Sequence, residues 1–261
     1  MAGTQPMVLM MAGGTGGHVY PALAVALELS ERGYRIEWLG TGRGLEARVV
    51  PANGIPIHFL AVRGVRGKGL VDRLVGVVRL GVASLQALWL VLKLAPRCVV
   101  GMGGYASGPG GVAAWLLRKP LLVQEQNAVA GTTNRLLAPL ARVVVAGFPG
   151  AFPDNVPCEV LGNPVRRELL AAGTDLGYEY DGQRALRILV LGGSLGAQPL
   201  NEMLPAALGR LAVTMNPEAV EVWHQAGDAH LQSVIDAYAE YPAITARLDA
   251  FLEDMAAAYR W

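Results

Sequence analysis

Two cysteines and four histidines in 261 residues leave little room for metal or thiol chemistry. Cys98 and Cys158 match neither a metal-ligand spacing nor a disulfide framework, so a reduced cytosolic compartment is expected. No Gly-Lys-Ser/Thr follows any glycine-rich turn, which excludes a P-loop. The turn at 13–17 is not spaced as G-x-G-x-x-G. No acid closes the apolar run at 34–39 either, which ends in Gly40-Thr41 where a dinucleotide fold places the carboxylate that holds a ribose. A nicotinamide or flavin dinucleotide fold becomes a minor alternative. The first residues, MAGTQPMVLMMAGG, lack a basic leader with a long apolar core, so no signal peptide is expected. The longest uncharged apolar run, 80–92, has 13 residues, short of the roughly 20 that span a bilayer.

Glycine and apolar residues are abundant, at 33 positions and 52% of the chain. Residues 7–20, MVLMMAGGTGGHVY, run from an apolar stretch through a glycine turn into an amphipathic one. That pattern predicts a strand entering an anion-binding loop at a helix N-terminus. It recurs where Val99-Val100 precede Gly101-Met102-Gly103-Gly104-Tyr105, and where 187–191 precede Gly192-Gly193-Ser194-Leu195-Gly196. Three such junctions suit a protein that handles a diphosphate, or two.

Apolar runs alternate with helical patterns, which predicts βα units and parallel sheets. Strands are expected at 7–12, 34–39, 57–60, 98–101, 121–124 and 142–146, with helices at about 19–32, 70–95, 109–117 and 131–139. The proline-rich stretch 148–166 reads as an interdomain crossover, followed by a polar segment at 171–184. Then the scheme restarts: strand 186–191, helix 198–212, strand 219–224, helix 228–240, strand 244–251, and a helical pattern from Glu253. The expectation is an α/β protein of two doubly wound domains, 1–163 and 164–261. About three strands precede Tyr259-Arg260-Trp261, fewer than a doubly wound domain needs. A truncated second domain, or one completed by a partner, is therefore expected, with a small complete domain as the alternative.

Net charge of +1 conceals an asymmetry. Residues 1–163 hold 15 Lys and Arg against 8 Asp and Glu, a balance of +7; the remainder holds 7 against 13, a balance of −6. The basic half points to an anionic partner, phosphate-bearing or a membrane surface. Segment 69–95 is the most membrane-like, with Arg63, Arg66, Lys68, Arg73 and Arg79 beside its apolar stretch. It reads equally as an interfacial element on anionic lipid and as a core helix.

Candidate chemistry collects at the strand ends. His18 is the sole histidine in a glycine loop, and a helix N-terminus favours the neutral imidazole that a general base requires. A histidine that only orders the loop is the plainer reading. Gln124-Glu125-Gln126-Asn127 follow a strand at the edge where open α/β sheets bind ligands. Arg166, in Gly162-Asn163-Pro164-Val165-Arg166, offers a guanidinium to a phosphate or a structural carboxylate. His58, His224 and His230 are assigned no chemistry.

Seven motifs taken together carry a resemblance through the whole chain. GGTGGHVYPALAVA (13–26), GMGGYASGPGG (101–111), QEQNAVAGTTN (124–134), FPGAFP (148–153), GNPVR (162–166), GGSLGAQPLN (192–201) and FLEDMAAAY (251–259) resemble the MurG family. These are UDP-N-acetylglucosamine transferases that convert lipid I to lipid II in peptidoglycan synthesis. Gln124 and Leu195 depart from the pattern, standing where His and Gln are usual. The resemblance implies a GT-B fold, two Rossmann-like domains facing a cleft, and inverting transfer without a metal or other cofactor. It implies that Thr15, Gly16, Gly17, Asn127, Arg166, Ser194, Asn201 and Leu252 bind the donor. Gly13, Gly14, Gly103, Gly104 and Tyr105 are then suited to the acceptor diphosphate. His18 becomes the base for the acceptor C4 hydroxyl, with Glu125 a second candidate or the group that orients it. Arg66, Lys68, Arg73 and Arg79 would meet the membrane. Implied partners are the undecaprenyl-diphosphate acceptor, an anionic membrane surface and cell-wall and division proteins, with no nucleic acid. The implied location is the cytoplasmic face of the inner membrane, as a peripheral protein. Alternatives are a fragment that binds only the lipid acceptor, and another UDP-sugar enzyme of the same fold such as a non-hydrolysing epimerase.

Overall fold

The computed structural model describes residues 5–62, 70–174, 178–193, 196–214 and 220–261, with the side chains of 70–74 and 173–174 excepted. The chain divides into two compact units, Met1–Arg166 and Arg167–Trp261.

The first unit is wound about a parallel sheet. Its strands are β1 (Met7–Met11), β2 (Arg35–Thr41), β3 (Ile57–Leu60), β4 (Cys98–Gly101), β5 (Leu121–Glu125), β6 (Val143–Ala146) and β7 (Glu159–Val160). They lie in the order β3-β2-β1-β4-β5-β6-β7. The apolar runs of central β1 and β4 are unbroken because both faces of the sheet are covered there. Val8 and Met10 face one core, with Trp38 and helix α1 (Gly16–Glu31); Leu9 and Met11 face the other, with α3 (Leu70–Leu94) and α4 (Ser107–Leu116). The strand order reverses between β1 and β4, so the crevice beyond their carboxyl ends is where such a sheet takes ligands.

Two elements escape the sequence pattern. Helix α2 (Glu46–Ala52) is one short stretch with Pro51 inside, flanked by glycines that read as loop. Strand β7 sits within the supposed crossover and pairs with β6, so the first unit extends to Arg166. Helix α5 (Thr132–Leu137) completes the unit.

Within α3 the segment Val75–Leu94 has mean hydropathy 1.8 and 20 residues, long and apolar enough to cross a membrane by length and composition. This corrects the 13-residue limit drawn from uncharged residues alone, since Arg79 and Lys93 lie within it. Yet Ala83, Ala87, Leu90 and Val91 pack into the sheet's core on one side. The opposite side stays apolar and exposed, at Val78, Val82, Leu85, Trp89 and Leu92. One stripe of the helix is core, as one of the two readings had it, and the other is exposed apolar surface.

The second unit begins with α6 (Arg167–Thr174), which the sequence reading left as polar connection. Its sheet is three parallel strands in the order β10-β9-β8, from β8 (Leu186–Leu191), β9 (Val220–Gln225) and β10 (Ile244–Asp249). Helices α7 (Gln198–Thr214) and α8 (Leu231–Ala239) cover one face through Leu208, Ala212, Val234 and Tyr238. A smaller cluster of Trp223, Leu252 and Ala258 lies under the last helix, α9 (Met255–Arg260).

Candidate active site

The two glycine turns that follow β1 and β4 meet at the reversal point, backbone against backbone. A Cβ on Gly104 would lie 2.4 Å from the Gly13 carbonyl oxygen, and one on Gly103 would lie 2.7 Å from His18 Nδ1. Both residues also hold positive φ, +88° and +99°, which only glycine adopts without strain. Ser107 reinforces the second turn by donating to the carbonyls of Met11 and Gly103 at 2.9 and 2.7 Å.

His18 stands in the first turn of α1, half-buried, with Nδ1 3.1 Å from Gln126 Oε1. Gln126 is buried, and its Nε2 donates to the Met102 carbonyl at 2.9 Å, which leaves Oε1 toward the imidazole. An acceptor at that position requires Nδ1 to carry the proton. Nε2 is then the basic nitrogen, the state a general base needs. Gln126 thus orients the histidine, a role the sequence reading had offered to Glu125.

Glu125 does different work. It is fully buried, and its oxygens accept from Asn127 N and Nδ2, Gly131 N and Asn134 Nδ2 at 2.7–3.0 Å. Burial pushes its carboxyl up, but the donated hydrogen bonds outweigh burial and hold it below the ordinary carboxylate value. A carboxylate so saturated is a poor proton acceptor, so the structure argues against Glu125 as a base. It shapes the loop after β5. Asn127 itself is exposed, with its side-chain amide nitrogen tied to Glu125.

A second buried carboxylate was missed. Glu46 is wholly enclosed, accepting from Gly14 N at 2.9 Å, Thr41 N at 2.9 Å and Thr41 Oγ1 at 2.7 Å. Gly13, Gly40 and Gly44 leave the space it fills, since a Cβ on any of them would meet its side chain at 3.0 Å or less. The acid absent from the end of β2 is therefore close by in space but turned inward. No ribose carboxylate is presented, against a dinucleotide site. Gly14 is corrected with it: its N–H is spent on Glu46 and is not free for a diphosphate. Gly13 and Gly103 are buried spacers for Glu46 and His18. Of the five residues expected at the acceptor diphosphate, exposed Tyr105 is the one that offers a side chain.

Thr15 precedes α1 in extended conformation, and Gly16 and Gly17 follow as its first helical residues, whose N–H groups lack intrahelical partners. Asn163 anchors its segment to the loop after β5, its Nδ2 donating to the Gln126 carbonyl at 3.1 Å. Three residues on, the Arg166 guanidinium stacks 4.6 Å from the Tyr20 ring centroid, and its buried Nε has no partner. Gln124, where the family pattern has His, leaves Oε1 buried and unpaired.

In the second unit Asn201 is corrected. It is buried, donating Nδ2 to the Ala226 carbonyl at 2.8 Å and holding Oδ1 3.0 Å from His224 Nε2. His224 in turn places Nδ1 3.2 Å from the Tyr238 hydroxyl. This is an interior network rather than a donor contact. Burial lowers the His224 pKa and pushes Tyr238 up to about 12. The Leu252 side chain is likewise committed to packing beside Trp223. Ser194, Arg63, Arg66 and Lys68 lie outside the described residues, as does the side chain of Arg73.

Two units, each built on a parallel sheet with a strand that runs through a glycine turn toward a helix, and a histidine at the first such turn, have the features of a GT-B glycosyltransferase. Residues 8–146 match the glycosyltransferase family 28 N-terminal domain, and 187–261 match the family 28 C-terminal domain. The chain belongs to glycosyltransferase family 28. It is 49% identical to the UDP-N-acetylglucosamine--N-acetylmuramyl-(pentapeptide) pyrophosphoryl-undecaprenol N-acetylglucosamine transferase of Pseudomonas entomophila, over 100% of this chain and 71% of that one. The protein of the same name from Alkalilimnicola ehrlichii is 53% identical, over 97% of this chain and 70% of its own length. The crystal structure of Acinetobacter baumannii MurG matches with a TM-score of 0.73 at 40% identity, covering 98% of this chain and 71% of that one. A UDP-N-acetylglucosamine 2-epimerase structure matches at 16% identity with a TM-score of 0.59, which is likeness of fold alone.

Proposed function

We propose that this chain transfers N-acetylglucosamine from UDP-N-acetylglucosamine to the C4 hydroxyl of a muramyl sugar carried on undecaprenyl diphosphate. The observation that carries the mechanism is the Met102–Gln126–His18 relay of hydrogen bonds, which leaves His18 Nε2 basic. Nε2 removes the hydroxyl proton as the oxygen attacks the anomeric carbon, and the bond from that carbon to UDP breaks on the opposite face. The sugar is inverted in one step. Charge appearing on the leaving diphosphate meets the N–H groups at Thr15–Gly17 and the Arg166 guanidinium, preorganised donors rather than a metal. Exposed Asn127 is a further donor contact that the family resemblance implies, as are Ser194 and Leu252.

The second support is the membrane face. Helices α3 and α4 pack together on one side of the first unit and expose Leu85, Trp89, Leu92, Trp115 and Leu116. Arg79, Lys93, Arg118 and Arg135 are basic residues on or beside these helices and α5. An apolar stripe edged by cations suits a peripheral seat on anionic lipid, at the cytoplasmic face that the family resemblance implies.

The test is transfer of labelled N-acetylglucosamine to a lipid-linked acceptor. His18→Ala is expected to lower kcat by about 10²–10⁴ with donor KM little changed; a loss under tenfold leaves His18 as a loop-ordering residue. A chelator is expected to leave the rate unchanged. Incubation with UDP-N-acetylglucosamine alone separates the epimerase reading, which requires a 2-epimer to form without any lipid.

A further inference from the structure

Next to the glycine turns lies a cleft of about 880 Å³ in the first unit, lined by Gly14, Thr41, Arg43, Phe59, Arg79 and Tyr105 among others. Its walls carry two guanidinium groups and no carboxylate. Neither Arg43 nor Arg79 has an acidic partner among the described residues, and both are exposed. Glu46 is buried, with its oxygens already bonded to Gly14 and Thr41, which line the cleft. Among the described residues, no carboxylate lining the cleft offsets its positive charge.

Position narrows the ligand. Its lining takes in Arg79, on the helix whose exposed neighbours Val75, Val78 and Val82 are apolar. It also takes in Gly14 and Tyr105, at the turns that hold His18. A group bound here is bordered both by the apolar-faced helix and by the turns that carry the base. In a lipid-linked sugar the group between tail and reacting ring is the diphosphate. We propose that Arg43 and Arg79 bind the diphosphate of the acceptor in this cleft, with Tyr105 and Phe59 flanking it. This rests on the transferase reading above and replaces the Gly13–Gly14 loop as the acceptor's anion site. Two guanidinium groups supply the charge-assisted, forked bonds that a diphosphate accepts.

Titration calorimetry of the chain with geranyl diphosphate, soluble and free of any bilayer, tests the assignment. Arg43→Gln and Arg79→Gln are each expected to weaken binding about tenfold, with Arg210→Gln on the second unit as the control. Inorganic pyrophosphate is expected to bind more weakly with the same dependence on both arginines. Equal affinity of both variants and the parent chain would overturn the proposal. So would a muramyl pentapeptide lacking diphosphate that bound and lost affinity in the variants while geranyl diphosphate did not. In the transfer assay Arg43→Gln is expected to raise acceptor KM with kcat and donor KM unchanged. If the chain transfers no sugar yet geranyl diphosphate binding still requires Arg43, the transferase reading fails and the cleft assignment stands.

Discussion

Gln126 and Glu46 act through hydrogen bonds on backbone and ring, and each has a consequence that a substitution exposes. Gln126→Leu keeps the bulk beside His18 but removes the acceptor that selects its tautomer. The expected result is a kcat about tenfold lower with donor KM unchanged, measured by steady-state transfer kinetics. Replacing Glu46 by Gln puts an amide where two N–H groups and a hydroxyl converge, so at least one donor loses its acceptor. A buried donor left unpaired costs about 1–3 kcal/mol, which a urea unfolding midpoint reads directly. His18 was legible in the sequence as a histidine among glycines. Glu46 was not, because it follows Gly42-Arg43-Gly44-Leu45 with nothing to mark it. Its meaning depends on Gly13, Gly40 and Gly44 clearing space around it, which distance along the chain conceals. Asn201 shows the converse error: a polar residue in a glycine-turn motif turned out to serve His224 in the interior.

Among the elements, those with a long apolar period were the most readable. Strands β1 to β6 fall within two residues of their expected bounds, and the central ones, buried on both faces, are written as uninterrupted apolar runs such as MVLMM in β1. Elements held by tertiary contact were invisible: α2 contains a proline, and two-residue β7 exists only because β6 offers an edge. Helix α3 was ambiguous for a physical reason. Its buried residues Ala83, Ala87, Leu90 and Val91 and its exposed ones Val78, Val82, Leu85 and Trp89 both repeat at helical spacing. No single hydrophobic face stands out when both are apolar. The exposed stripe carries a prediction of its own. Liposome flotation on anionic vesicles is expected to be lost when Trp89 and Trp115 are changed to Ser. Changing Arg66, Lys68, Arg73 and Arg79 together to Gln is expected to weaken it in a salt-sensitive way, each cation contributing about 1 kcal/mol. Flotation unchanged in both variants would place the membrane contact elsewhere.

For the molecule as a whole, two units with separate cores imply separate stabilities. The first has seven strands with a core on each face of its sheet, the second three strands and smaller clusters. Calorimetry is expected to resolve two transitions, the weaker belonging to 167–261. Acid should separate them further. His224 is buried neutral with its pKa lowered, so the unfolded second unit binds the extra proton first. Its contribution is complete above pH 6.5 and fades as pH drops below that value. Glu125 adds a corresponding loss in the first unit only below the ordinary carboxylate range, near 4.5. Between these two values the second unit should weaken while the first does not. His224→Gln should flatten that window if His224 is the cause.

Gly104 has a consequence in the language of codons. Every single-base missense change in a glycine codon yields Ala, Val, Ser, Cys, Arg, Asp, Glu or Trp, and each brings a Cβ. At position 104 that atom would lie 2.4 Å from the Gly13 oxygen, on a backbone already at φ +88°. No stepwise route leads away from glycine here without parting the two turns. A deep mutational scan should find this position closed to all of its genetic neighbours, including Ala, the gentlest of them.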